Sequence, residues 1–191
     1  MRTDRSLTSL RFNDSILDTA ACLFARHGLT GTSLQAVADA LGCSKAGLLH
    51  HFPTKPALYE AAVAGVEAQE RALLQSTGDL PPGPGRDRLV VEALIDCAVA
   101  RPGITALSMT LPSTPPDPVF TGPGAGLPRL ARTFFRVDQV ATDPERLVRV
   151  VSALGALTVA TGVADLVGGR QVWRGPLIAA VLDALGHPVP R

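Results

Sequence analysis

Lysine is almost missing from this sequence of 191 residues, because Lys45 and Lys55 are the only lysines among its 18 basic residues. Aromatic residues make up 4% and charged residues 18%, against 46% hydrophobic residues. This balance favours a packed globular chain over a disordered one. The net charge is +1, so no field of one sign predicts nucleic-acid or membrane binding, although a local basic site can still exist.

Cysteine is also scarce, and Cys22, Cys43 and Cys97 are far apart. No Cys/His spacing typical of a metal site occurs, so we expect neither zinc nor a disulfide framework. A reducing, cytoplasmic location follows. The first residues lack the apolar segment of a signal peptide, and the uncharged run 150–164 is shorter than the roughly 20 apolar residues that span a membrane. No G-x-S-x-G, H-E-x-x-H or phosphate-loop motif is present, so we predict no enzyme and no cofactor.

Strand-like alternation is absent as well, and apolar residues recur at spacings of three and four, which predicts an all-α fold. We expect the capping box "TDPE", with Thr142 as cap, to begin the helix 144–167. We expect Pro176 to begin the last helix. Breaks at 78–85 and 111–126 suggest an N-terminal domain over 1–54, a connecting helix over 55–77 and a helical domain over 78–191. The predicted helices cover about 8–27, 34–41, 45–52, 55–75, 87–101, 104–110, 128–137, 144–167 and 176–185.

The two short helices 34–41 and 45–52, joined by a turn, have helix-turn-helix spacing. Ser33, Ser44 and Thr54 are placed as N-caps, and helix N-termini favour phosphate. The two lysines add positive charge beside them. If Leu48 and Phe52 point inward, the solvent face of the second helix consists of Lys45, Ala46, Gly47, Leu49, His50 and His51. The spacing alone also fits an ordinary helical hairpin with a solvated polar face.

Two other chemistries are less favoured for this stretch, a metal site and a redox sensor. His50 and His51 are neighbours on a helix and point about 100° apart, so they cannot share a metal without further ligands. Cys43 lies in the turn and is the leading candidate for a redox sensor, although buried cysteines are more often core residues.

The stretch "ILDTAACLFARHGLTGTSLQAVADALGCSKAGLLHHFPTKPALYEAAV" resembles the DNA-binding domain of the TetR/AcrR family of bacterial transcriptional regulators. The resemblance covers roughly residues 10–65. It implies that Ala46 and Gly47 face bases, and that Leu49 stands where the family usually has a tyrosine. That tyrosine's phosphate contact is then lost, although Leu49 can touch a thymine methyl. The resemblance also implies that phosphates lie near Ser33, Lys45, His50, His51 and Lys55.

The rest of the chain resembles the family only in length and helical character. Small residues at 152, 156, 160 and 164 and an apolar last helix predict a homodimer through helices 144–167 and 176–185, against the alternative of a monomeric core. Such a dimer suits a palindromic operator in double-stranded DNA. The family resemblance implies a ligand pocket among the middle helices, and the few polar groups there favour a small, apolar effector. Its candidate residues, which also fit a plain core, are Cys97, Met109, Phe134, Thr158, Thr161, Asp165 and Trp173.

Two functions therefore remain open. The first is a ligand-responsive transcriptional regulator, with repression as the family's usual mode. The second is a small-molecule-binding helical dimer with weak or lost DNA binding, which Leu49 and the low net charge favour. The salt dependence of binding to upstream DNA distinguishes the two functions.

Overall fold

The computed structural model describes residues 2–112, 125–137, 143–166 and 170–187, with side chains described over 12–112, 125–137, 143–160 and 172–187. Every regular element within these ranges is a helix, in agreement with the all-α prediction. The elements are α1 (Arg2–Gly31), α2 (Leu34–Leu41), α3 (Lys45–His51), α4 (Lys55–Thr77), α5 (Pro84–Ala100), α6 (Pro102–Thr110), α7 (Leu127–Phe135), α8 (Pro144–Leu166) and α9 (Arg170–Ala184).

The chain divides into two compact units, Met1–Ala68 with Arg101–Ser108 and Gln69–Ala100 with Met109–Arg191. The Pro/Gly-rich break after α4 therefore lies inside the second unit. No helix in the described part of the chain is long and apolar enough to cross a membrane.

The first unit is built on α1, which packs on α2, while α2 packs on α3. Its core consists of fully buried aliphatic side chains from each helix, because a seven- or eight-residue helix is stable only when its apolar face is covered. Gly28 interrupts α1 with φ 69° and ψ 174°, and Gly42 ends α2 in the left-handed region. Both sites suit glycine, which carries no Cβ. The largest buried side chains of this core are Ile16, Leu48, Leu58, Ile104 and Leu107.

The second unit has its core among α5, α7, α8 and α9, with α9 packed against both α8 and α5. The apolar residues of α9 that predicted burial on two sides are all buried against this core within one chain: Leu177, Ile178, Val181, Leu182 and Leu185. Their burial therefore gives no support to a dimer, and the prediction needs a different face of α8 and α9.

The start of α8 at residue 144 was predicted correctly, but its cap residue and the start of α9 were predicted wrongly. The cap of α8 is Asp143, whose carboxylate accepts the Arg146 N–H at 2.9 Å, so the predicted capping box is one residue out of register. Pro144 explains the shift, because proline is favoured in the first helical position. The predicted cap Thr142 lies outside the described residues. Helix α9 begins at Arg170 and contains Pro176 in its interior, where proline removes a single backbone hydrogen bond without ending the helix.

Candidate nucleic-acid interface

Helix α3 is held by hydrogen bonds at both ends. The Ser44 Oγ accepts the Gly47 N–H at 3.0 Å, and the Phe52 N–H donates to the Leu48 carbonyl at 2.9 Å. Leu48 is 0% exposed and fixes which side of the helix faces the core. The opposite side is therefore open to solvent, and it carries four exposed residues, Lys45, Ala46, Gly47 and His50.

Gly47 is exposed on this face and has no side chain to cover its backbone. A Cβ added there would lie 3.3 Å from the Ser44 Oγ, closer than an ordinary van der Waals contact. A larger residue would therefore press on the N-cap as well as extend from the surface. Ala46 beside it carries one methyl group, so this part of α3 allows a close approach to base edges.

Helix α2 is capped in the same way as α3. The exposed Ser33 Oγ accepts the Ala36 N–H at 3.0 Å, and the Thr54 Oγ1 accepts the Ala57 N–H at 3.2 Å at the start of α4. All three predicted N-caps are therefore formed. On the outer side of α2, the Gln35 amide donates to Asp39 at 2.7 Å, a contact that the sequence analysis did not anticipate.

Three further predicted residues are only half-buried: Leu49, His51 and Lys55. The His51 ring lies 5.4 Å from the ring of Phe12 on α1 and 5.7 Å from that of His50, both in edge-on geometry. The Phe12 contact was missed, although Phe12 is four residues before the buried Ile16 and so continues the same helical face. Phe12 thus packs against His51, which was predicted to belong to the solvent face of α3.

The ammonium of Lys55 is engaged inside the unit. Its Nζ donates to the Leu29 carbonyl at 2.8 Å and to the Thr32 carbonyl at 3.0 Å. The buried Thr32 hydroxyl lies 2.8 Å from the Gly28 carbonyl and 3.2 Å from the Leu23 carbonyl. Thr32 and Lys55 together supply donors to the turn between α1 and α2, and Thr32 was not among the predicted residues.

Among the residues that the structure describes, no group of three or more His, Cys, Asp or Glu side chains is close enough to hold a metal ion. The rings of His50 and His51 stand at 84° to each other. Cys43 is half-buried in the turn between α2 and α3. The chemistry on this face therefore comes from hydrogen-bond donors, one lysine and small apolar groups.

The predicted effector pocket is only partly brought together. Met109 and Phe134 are buried in the same core of the second unit, and Cys97 is half-buried. Thr158 instead lies at the surface with its hydroxyl 2.9 Å from the Leu154 carbonyl, and Trp173 is 41% exposed, so neither faces that core. The side chains of Thr161 and Asp165 lie outside the described residues.

A buried charged group in the second unit was not predicted at all. Asp87 is 0% exposed, and both its oxygens accept hydrogen bonds from Arg146 at 2.8 Å. His187 Nε2 lies 2.8 Å from the same carboxylate, and the hydrogen bonds to Asp87 raise the pKa of Arg146. Neighbouring Arg86, whose pKa is lowered by burial, donates to the carbonyls of Phe134 and Gly78. These contacts join distant parts of the second unit.

The two short capped helices α2 and α3, with small exposed residues on the outer face of α3, have the arrangement of a helix-turn-helix. Residues 16–62 match the family model described as bacterial regulatory proteins, tetR family. Over these residues the chain is similar to transcriptional regulators of the tetR family.

The similarity to curated relatives covers a short part of the chain. The chain is 40% identical over 50 residues to the biofilm operon icaADBC negative transcriptional regulator IcaR of Staphylococcus aureus (strain Newman), which is 26% of this chain and 27% of IcaR. It is equally identical over 50 residues to the transcriptional repressor KstR2 of Rhodococcus jostii, 26% of this chain and 24% of KstR2. The matches thus span about a quarter of each relative. A solved chain from Shewanella sp. PV-4 is 20% identical over 90% of this chain and 96% of its own, with a TM-score of 0.43.

Proposed function

We propose that this chain is a dimeric transcriptional repressor that binds a palindromic operator through α3 and is released by a small apolar effector. The observation that carries the proposal is the outer face of α3, where Lys45, Ala46, Gly47 and His50 are exposed while Leu48 is fully buried. The names of IcaR and KstR2, a negative regulator and a repressor, favour repression over activation.

In this proposal α3 lies in the major groove with its N-terminal residues nearest the bases. Ala46 and Gly47 face base edges, because only small side chains let the backbone approach them. Phosphates are contacted by the charged or capping residues around them, namely Lys45, Ser33, Ser44 and His50. Leu49 has no hydroxyl group for a phosphate, and its half-buried side chain is suited to a thymine methyl. His51, packed on Phe12, supports the orientation of α3.

The dimer is proposed to form through the outward faces of α8 and α9. Val148, Ser152, Ala156 and Val159 are exposed and follow each other at spacings of four, four and three, so they share one side of α8. Val159 is 69% exposed, and on α9 Val172 is 80% exposed beside the half-covered Trp173. Large apolar side chains in a row on a surface are typical of an interface. A two-fold dimer would present two α3 helices to half-sites about 34 Å apart.

The effector is proposed to be apolar because the core of the second unit, which contains Met109 and Phe134, is almost entirely aliphatic and aromatic. Release then requires that the effector and the operator bind different states of the dimer, so each weakens the binding of the other by the same factor.

The test is binding of the full-length, effector-free protein to fragments of the intergenic DNA upstream of its own gene. Specific binding to one fragment, weakening steeply between 50 and about 200 mM salt, is the expected result. Folded dimer that binds no upstream fragment at low salt would refute the proposal. That outcome would favour the alternative, a small-molecule-binding helical dimer that has lost DNA binding, for which the leucine at position 49 is the supporting feature.

A further inference from the structure

We infer that Lys55 is a positioning residue that fastens the helix-turn-helix to α1, and that it does not contact phosphate. The inference rests on the proposed DNA binding. The Lys55 Nζ lies between two carbonyl oxygens, those of Leu29 at 2.8 Å and Thr32 at 3.0 Å. The side chain is half-buried, whereas that of Lys45, the other lysine, is exposed. The two lysines that seemed equivalent in the sequence therefore differ in their surroundings.

The two main-chain carbonyls that Lys55 contacts need a hydrogen-bond donor from outside the α1–α2 turn. Gly28 breaks the helical conformation of α1, so the turn after it lacks part of the regular hydrogen-bond pattern. The Ala36 N–H, which is four residues beyond Thr32, is taken by the Ser33 Oγ at 3.0 Å. The Thr32 carbonyl is thus left for a donor from elsewhere in the chain, and the ammonium of Lys55 supplies it.

The position of Lys55 in α4 points to the same role. It is the first residue of α4, where a positive charge is unfavourable to the helix dipole. The same charge is favourable near the C-terminal end of α1, whose last carbonyls carry partial negative charge. A cation at the start of a helix is therefore explained by its contacts with the α1–α2 turn.

The two Lys55 hydrogen bonds form a connection between chain positions on either side of the complete helix-turn-helix. Leu29 and Thr32 come before α2, and Lys55 follows α3, so the two hydrogen bonds join positions 26 and 23 residues apart. All of α2 and α3 lies in the closed segment between them. Opening the connection should let this segment shift on α1 and so misplace the outer face of α3, without removing any charge from the DNA surface.

The two roles predict different salt dependence. A phosphate contact contributes about 0.9 to the slope of log K against log salt concentration for each protomer, whereas a positioning residue contributes nothing to that slope. The experiment measures operator binding at several salt concentrations for Lys55→Met and for the matched control Lys45→Met. Thermal unfolding is recorded for both proteins. Methionine keeps a long apolar side chain but has no charge and no donor.

We expect Lys55→Met to bind less tightly by a similar factor, about tenfold, at every salt concentration. Its slope should equal that of the wild type, and its melting temperature should be lower by about 3 °C. Lys45→Met should lower the slope by about 0.9 per protomer and leave the melting temperature unchanged. A Lys55→Met slope reduced as much as that of the control would overturn the inference, whatever its melting temperature.

A second variant loosens the same turn without touching a charge, and it leaves in place the two main-chain carbonyls that accept from Lys55. Thr32→Val loses the hydroxyl contacts with the Gly28 and Leu23 carbonyls and should repeat the Lys55→Met result, lower stability with an unchanged slope. If the wild type binds no upstream DNA, the proposed function fails but the connection is still tested by unfolding. A melting temperature that is lowered in Lys55→Met and not in Lys45→Met supports the positioning role of Lys55. Equal melting temperatures in the wild type, Lys45→Met and Lys55→Met refute it.

Discussion

Replacing Gly103 by alanine should separate the start of α6 from α1. A Cβ at this position would overlap the Asp18 carbonyl oxygen and lie 2.8 Å from its carbon and 2.9 Å from the Cys22 nitrogen. All three atoms belong to the α1 backbone, so no side chain can rotate away. The Asp18 carboxylate also accepts the Ile104 N–H at 3.0 Å, and this hydrogen bond is lost when α6 retreats.

The cost follows from these contacts. Overpacking against rigid backbone costs about 1–3 kcal/mol, and a hydrogen bond to a charged group contributes about 1.5–3 kcal/mol. Because the two effects come from one displacement, we expect a loss of about 3 kcal/mol rather than their full sum. At an m value of about 2 kcal/mol/M, the urea midpoint should fall by about 1.5 M.

Urea unfolding followed by far-UV circular dichroism measures this shift. Gly85→Ala is the control, because Gly85 lies in α5 with no atom within 4 Å of an added Cβ and its φ is not positive. That variant should stay within about 0.5 kcal/mol of the wild type. If Gly103→Ala also keeps the wild-type midpoint, the close packing of α6 on α1 is wrong.

Three further changes test the second unit. Asp87→Ala leaves the two basic partners of a buried carboxylate unpaired and should cost about 3–5 kcal/mol in urea unfolding, and a loss below about 1 kcal/mol contradicts this. Val159→Glu should prevent formation of the proposed dimer in sedimentation analysis, whereas Leu89→Glu, also at an exposed site, should not; identical sedimentation of both argues against the proposed interface. Hydrogen bonding from Arg174 lowers the pKa of Asp96 below its ordinary 3.8, so the pair stabilises the protein above that pH and the effect disappears as the pH falls through the lowered pKa. The stability difference between wild type and Arg174→Gln should therefore be small at pH 7 and absent in strong acid, and a difference that grows in acid is inconsistent with the ion pair.

Local hydrogen bonding explains why the bounds of α2 and α3 were predicted closely. The α2 bounds agree at both ends, and α3 ends one residue earlier than predicted, at His51. Ser33 and Ser44 bond to N–H groups three residues away, so their role is readable from neighbouring residues alone. The exposed face of α3 follows from the position of Leu48 by helical geometry.

The errors arose where competing local signals or distant partners decided the structure. "TDPE" contains two possible caps, and Pro144 as first helical residue selects Asp143 over Thr142. Proline is common at the start of a helix, but α9 begins six residues before Pro176. In this earlier part of α9, Arg174 pairs with Asp96 of α5. The apolar residues of α9 indicated burial correctly, yet periodicity does not say whether the covering surface belongs to the same chain.

The sequence by itself determined the helical class, the helix-turn-helix with its caps, and the tetR-family resemblance, because each depends on residues within a few positions of one another. Tertiary structure alone decided which partner each buried charge has. Lys55 is the same type of residue as Lys45 and carries the same charge, but its ammonium contacts a turn more than 20 residues earlier. Asp87, unremarked in the sequence, is enclosed by Arg146 and His187. Such pairings depend on how distant helices pack, and neither side-chain spacing nor propensity encodes that.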